Sequence, residues 1–158
     1  MDWVAHIHLC GHLRLTVSGV AQELSLRGRQ GRLLFAFLVL HRGRPVPRDA
    51  LVEALWGEDG LPPSEGALAP VLSRLRRAIA PATVEGRDSL ALMLPEPAWV
   101  DVEVARDAVT RARGAAHASE RLTHAQTAMT IAGPGLLPGL DAPWLTAERD
   151  ALEHLRVE

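Results

Sequence analysis

A chain of 158 residues and 17.1 kDa, 47% hydrophobic and 23% charged, has room for one ordinary domain or two small ones and the composition of a folded protein. The net charge is −2, and all 17 basic residues are arginine. Without lysine, Schiff-base catalysis, a P-loop lysine and a kinase-type lysine are excluded, and the single cysteine, Cys10, excludes an internal disulfide.

Residues 1–100 carry 11 arginines against 10 acids, and residues 101–158 carry 6 against 9. Bulk charge therefore gives no argument for nucleic-acid binding, which would have to rest on a local arginine cluster. The opening Met-Asp-Trp-Val-Ala-His lacks the basic region of a secretory signal, and the longest apolar run, Leu33 to Leu40, is too short to span a bilayer. The expected location is the cytoplasm, with no membrane partner.

The first 27 residues alternate as short strands. Ile7 and Leu9 interleave with His6 and His8, and Leu13, Leu15 and Val17 with Arg14 and Thr16; a turn at Ser18-Gly19 leads to a third run, Gln22 to Leu26. A helix apolar on nearly all sides follows through Leu33–Leu40, closed by His41-Arg42-Gly43, and its lack of a polar face predicts the centre of the core. Pro45-Val46-Pro47 resets the backbone before a short amphipathic helix, Arg48 to Trp56, which Gly57 stops. A loop over 57–63 precedes a third helix over 64–80, with Ser64 as its N-cap. Leu68, Val71, Leu72, Leu75 and Ile79 recur there at helical spacing, and Ser73, Arg74, Arg76 and Arg77 occupy the other face. Two short runs flanking Gly86-Arg87-Asp88-Ser89 predict a hairpin. After a boundary near Pro95-Glu96-Pro97, further helices are expected over 102–113, 126–131 and 143–156.

Three strands, three helices and a terminal hairpin form the order of a winged helix-turn-helix, an α+β fold. The expected domains are 1–98, the winged helix, and 99–158, a short all-α segment.

Arg42-Gly43-Arg44-Pro45-Val46, Leu51-Val52-Glu53-Ala54-Leu55-Trp56-Gly57 and Leu72-Ser73-Arg74-Leu75-Arg76-Arg77-Ala78 resemble the DNA-binding domain of the streptomycete antibiotic regulatory proteins, an OmpR-type winged helix. Val100-Asp101-Val102-Glu103, Arg111-Ala112-Arg113, Gly133-Pro134 and Pro143-Trp144-Leu145-Thr146-Ala147-Glu148-Arg149 resemble the start of the bacterial transcriptional activation domain that follows it in that family. That domain is a longer helical array, and this chain stops after three of its helices. The resemblance implies a transcriptional activator that binds duplex DNA at promoter repeats, two protomers side by side. It implies Ser73, Arg74, Arg76 and Arg77 as DNA contacts, with Arg87 at the wing tip. It also implies that the loop containing Glu58, Asp59, Gly60 and Leu61 meets RNA polymerase. Guanidinium groups suit this role, since they bind phosphates bidentately and read guanine edges.

Pro70 lies within the third helix, where an interior proline costs about 3 kcal/mol, so the helix either begins late or is kinked. An alternative reading therefore keeps the fold as a protein-interaction module that has lost DNA binding. His6, His8, Cys10 and His12, spaced by two, would share one face of a continuous strand and could hold zinc, but Gly11 interrupts them and no metal site is expected. Asp101 and Glu103 alternate as on an extended segment, which suggests paired acid-base carboxylates or, more simply, a cap for the next helix. The four tryptophans read as packing anchors. No nucleophile elbow, His-Glu-x-x-His or Gly-rich phosphate loop occurs, so neither enzymatic activity nor a cofactor is expected.

Overall fold

The computed structural model describes residues 3–22, 26, 28–57 and 65–157. The chain divides into two compact units, one built on Leu15–Ala98 with the residues up to Ala5, the other on His6–Arg14 and the chain from Trp99 onward. Four short strands are β1 (Ala5–His8), β2 (Arg14–Val17), β3 (Val20–Gln22) and β7 (Ala98–Val100). Their short polar–apolar alternation is what a half-buried sheet requires.

In the first unit β2 and β3 pair antiparallel with Leu15 opposite Gln22 and Val17 opposite Val20. The helix α1 (Arg29–Leu40) buries Leu33, Leu34, Phe35, Ala36, Leu38 and Val39, as an all-apolar segment must. Around it stand α2 (Arg48–Trp56) and α3 (Leu68–Ile79), the latter entered through a 3₁₀ turn at Glu65–Ala67. A second sheet of order β4-β6-β5 joins β4 (Val46–Pro47), β5 (Thr83–Glu85) and β6 (Ser89–Met93). Thr83 pairs with Met93 and Glu85 with Ala91, so β5 and β6 are the wing hairpin and residues 86–88 its tip. Gly86 is required there: its φ is +112°, and a Cβ would sit 1.9 Å from the Ser89 carbonyl oxygen.

Pro70 is the third residue of α3, within the first turn, where the backbone N–H has no partner inside the helix and proline removes nothing. The late start resolves the conflict between proline and helix.

The second unit contains α4 (Asp101–Gly114), α5 (Ala118–Ala132) and α6 (Pro143–Val157). Asp101 is not on an extended segment: it opens α4 and is 2% exposed, the one buried charged residue among those described. Its Oδ2 accepts the Leu9 and Cys10 backbone N–H groups at 2.9 and 2.8 Å, and its Oδ1 accepts the Val102 N–H at 2.7 Å. The Leu137 N–H donates to the Leu9 carbonyl and the Gly11 N–H to the Gly135 carbonyl, which ties the same extended segment to the turn before α6. Arg149 of α6 holds that turn by donating to the Leu136 carbonyl at 2.8 Å and to the carbonyls of Leu137 and Leu140.

The tryptophans are not deep core. Trp3 is 38% exposed and Trp56, Trp99 and Trp144 are half-buried, with smaller aliphatic side chains filling the interiors. Among the described residues no helix is long and apolar enough to cross a membrane.

Asp101→Ala leaves three N–H donors without their acceptor, each costing about 1–3 kcal/mol when buried, so the variant loses roughly 3 kcal/mol or more in chemical denaturation. An unchanged unfolding midpoint would show that water replaces the carboxylate.

Candidate nucleic-acid interface

The geometry of α3 follows from its apolar row. Leu68, Leu72, Leu75 and Ile79 are at most 2% exposed and define the inward face. At 100° per residue, Pro70, Ser73, Arg74 and Arg77 then occupy the outward face at spacings of three, four and seven, and all four are exposed. The Arg74 and Arg77 side chains make no hydrogen bond or ion pair with any described residue. With Val71 and Ala78 they also border a cleft of about 640 Å³ whose other wall includes Trp56, Gln30 and Gly31.

Arg76 lies at the flank of the helix rather than on its outward face. Its Nε and Nη2 both donate to the Val84 carbonyl at 3.2 Å, so one guanidinium ties α3 to β5. A second arginine, unnoticed in the sequence, holds the wing tip: Arg48, the first residue of α2, donates from Nε to the Arg87 carbonyl and from its backbone N–H to the Asp88 carbonyl at 3.1 Å. Arg87 itself is exposed at the tip. Such clamps end on main-chain carbonyls, which carry no sequence signature; only the presence of arginine at a helix start and a helix flank hinted at them. Glu58, Asp59, Gly60 and Leu61 lie outside the described residues.

The histidines of β1 have another environment. His6 and His8 pack against the Trp99 ring at centroid distances of 5.7 and 5.1 Å, and His8 Nδ1 is buried without a hydrogen-bond partner. Gly11 turns the chain at φ +84°, so His12 does not continue the strand. Burial, and then the Asp101 carboxylate beside it, push the Cys10 thiol up to about 12, which keeps it protonated at neutral pH. Among the described residues no three metal-ligating side chains converge.

Residues 21–88 match the family model described as transcriptional regulatory protein, C terminal. The chain is 29% identical to regulatory protein AfsR of Streptomyces griseus over 92% of its own length and 16% of that protein's. It is 32% identical to AfsR of Streptomyces coelicolor over 87% of its length and 14% of that relative's. It thus spans less than a fifth of either of these two relatives. A solved structure of Mycobacterium tuberculosis EmbR, in complex with a low-affinity phosphopeptide, superposes with a TM-score of 0.74 at 24% identity, covering 99% of this chain and 43% of that one. The structural likeness establishes the shared fold.

Arg76→Ala removes two hydrogen bonds to a strand and is expected to cost about 1–2 kcal/mol in urea denaturation, whereas Arg77→Ala stays within about 0.5 kcal/mol. Equal effects would contradict the division of labour between flank and outward face. Burial, followed by the Arg14 charge, lowers the His8 pKa from 6.5 against an opposing pull from Asp101. The neutral ring is the one the fold favours, so this contribution is complete above the ordinary imidazole range and fades as pH falls below about 6.5. His8→Gln should flatten the dependence of the unfolding midpoint between about pH 5 and 7, where imidazole ordinarily titrates; an unchanged slope would assign it to other groups.

Proposed function

We propose, from the match of residues 21–88 to the transcriptional regulatory protein, C-terminal family model and from the likeness to the AfsR regulatory proteins, that this chain is a DNA-binding transcriptional activator that reads sequence through α3. The observation that carries the reading is the outward face of α3, where Ser73, Arg74 and Arg77 stand exposed on a helix whose opposite face is locked in the core. A recognition helix enters the major groove, and arginine is the side chain best suited to guanine O6 and N7.

In this reading Arg74 and Arg77 contact bases or phosphates, Ser73 donates to a phosphate oxygen, and Arg87 reaches the backbone or minor groove from the wing. Arg76 contributes by holding β5, and any contact it makes with DNA is secondary to that role. The second unit, with α4 to α6, supplies the activation function. Two protomers bind side by side on repeated sites, and the segment containing Glu58, Asp59, Gly60 and Leu61 contacts RNA polymerase. The placement of Pro70 in the first turn of α3 leaves the helix intact, which supports this reading over that of an interaction module without DNA affinity.

Selection from random duplex DNA should enrich a repeated sequence that the chain prefers over its scramble at about 0.15 M salt. Replacing Arg74 and Arg77 together with alanine should reduce that preference at least tenfold while the fold is retained, because each bidentate arginine–guanine pair discriminates by about 1–3 kcal/mol. Undiminished preference in the double variant would remove α3 as the reading element.

A further inference from the structure

We infer that the outward face of α3 reads a thymine methyl group through Pro70, beside guanines read by Arg74 and Arg77. The inference rests on the DNA-reading role proposed above and adds the base class that the site selects.

The first turn of α3 has an unusual chemistry for the leading end of a reading helix. Leu68 is buried, Ala69 and Pro70 are exposed and Val71 is half-buried, so no side chain from 68 to 71 can donate or accept a hydrogen bond. Pro70 also lacks the free backbone N–H that the first turn of a helix otherwise offers to a phosphate. At the outward position all it presents is the hydrocarbon surface of its ring.

The base edges in the major groove carry hydrogen-bonding groups at every pair, and one apolar feature, the C5-methyl group of thymine. A pyrrolidine ring pressed against a guanine, adenine or cytosine edge would bury a polar atom without a partner, which costs free energy. Against thymine it buries methyl against methylene. One helical turn further along the same face the chemistry reverses, with the Arg74 guanidinium, and Arg77 follows one turn later. Seven residues of helix rise about 10 Å, close to three base-pair steps of 3.4 Å. A selected half-site therefore holds a thymine within about three base pairs of a guanine.

The test uses the whole chain and the duplex enriched from random DNA. Each thymine is replaced in turn by deoxyuridine, which keeps pairing and removes the methyl group. Loss of about fourfold in affinity at one position, the worth of one methyl removed from water, is expected. Pro70→Gln should then move the preference at that position towards adenine, whose N6 and N7 a glutamine can engage, and abolish the deoxyuridine effect; circular dichroism checks that the helix is kept. An enriched sequence without thymine, no deoxyuridine effect at any position, or an effect that persists in Pro70→Gln would overturn the inference while leaving the DNA-reading role intact. Failure to enrich any sequence would instead overturn that role, and this inference with it.

Discussion

The burial of four side chains, Leu68, Leu72, Leu75 and Ile79, decides what the winged-helix unit can present. Each contributes about 1.5–3 kcal/mol when removed from water, so rotating α3 by even a quarter turn would exchange several such contributions for buried guanidinium groups. The outward face is consequently fixed before any ligand arrives. The backbone positions of Pro70, Ser73, Arg74 and Arg77 are set by folding, and only the exposed side chains remain to be ordered on binding.

The same economy of arginine runs through both units. Arg76 and Arg48 end on carbonyls of the wing, at Val84 and Arg87, and Arg149 ends on carbonyls of the turn before α6. A planar fork with several donors is suited to gathering main-chain acceptors that no neighbouring strand or helix supplies. Asp101 performs the complementary task for donors, collecting the N–H groups of Leu9, Cys10 and Val102 at the start of α4. In a chain without lysine, asparagine or tyrosine, arginine and carboxylate share most of this capping work.

Much of this was legible in the sequence, for identifiable reasons. α1 showed as an unbroken apolar run, α2 and α3 because apolar residues recur at helical spacing, and the wing because Gly86-Arg87-Asp88 separates two short runs. The outward face of α3 followed from the same periodicity. What the sequence hid were events whose partners are backbone atoms. Arg76 looked like Arg77, since nothing in the residue order tells that a strand carbonyl lies beside one and not the other. Asp101 looked like part of a strand because Val100-Asp101-Val102-Glu103 alternates, although Ala98–Val100 is the strand and the helix begins one residue later. The start of α5 at Ala118 was missed by eight residues, since only Ala128 and Ala132 along it are buried and Leu122 and Met129 face outward, leaving no apolar periodicity to read. Pro70 illustrates the limit of propensity: its cost depends on whether it falls in the first turn, which only the position of the preceding 3₁₀ turn decides.

The claim on which the account depends is that α3 lies in the major groove with its arginines on guanine edges. Dimethyl sulfate methylates guanine N7 from that groove, so protection of the enriched duplex measures it directly. The account predicts protected guanine N7 positions in the presence of the chain and their renewed reactivity with Arg77→Ala. Guanines that stay reactive under saturating protein would contradict it.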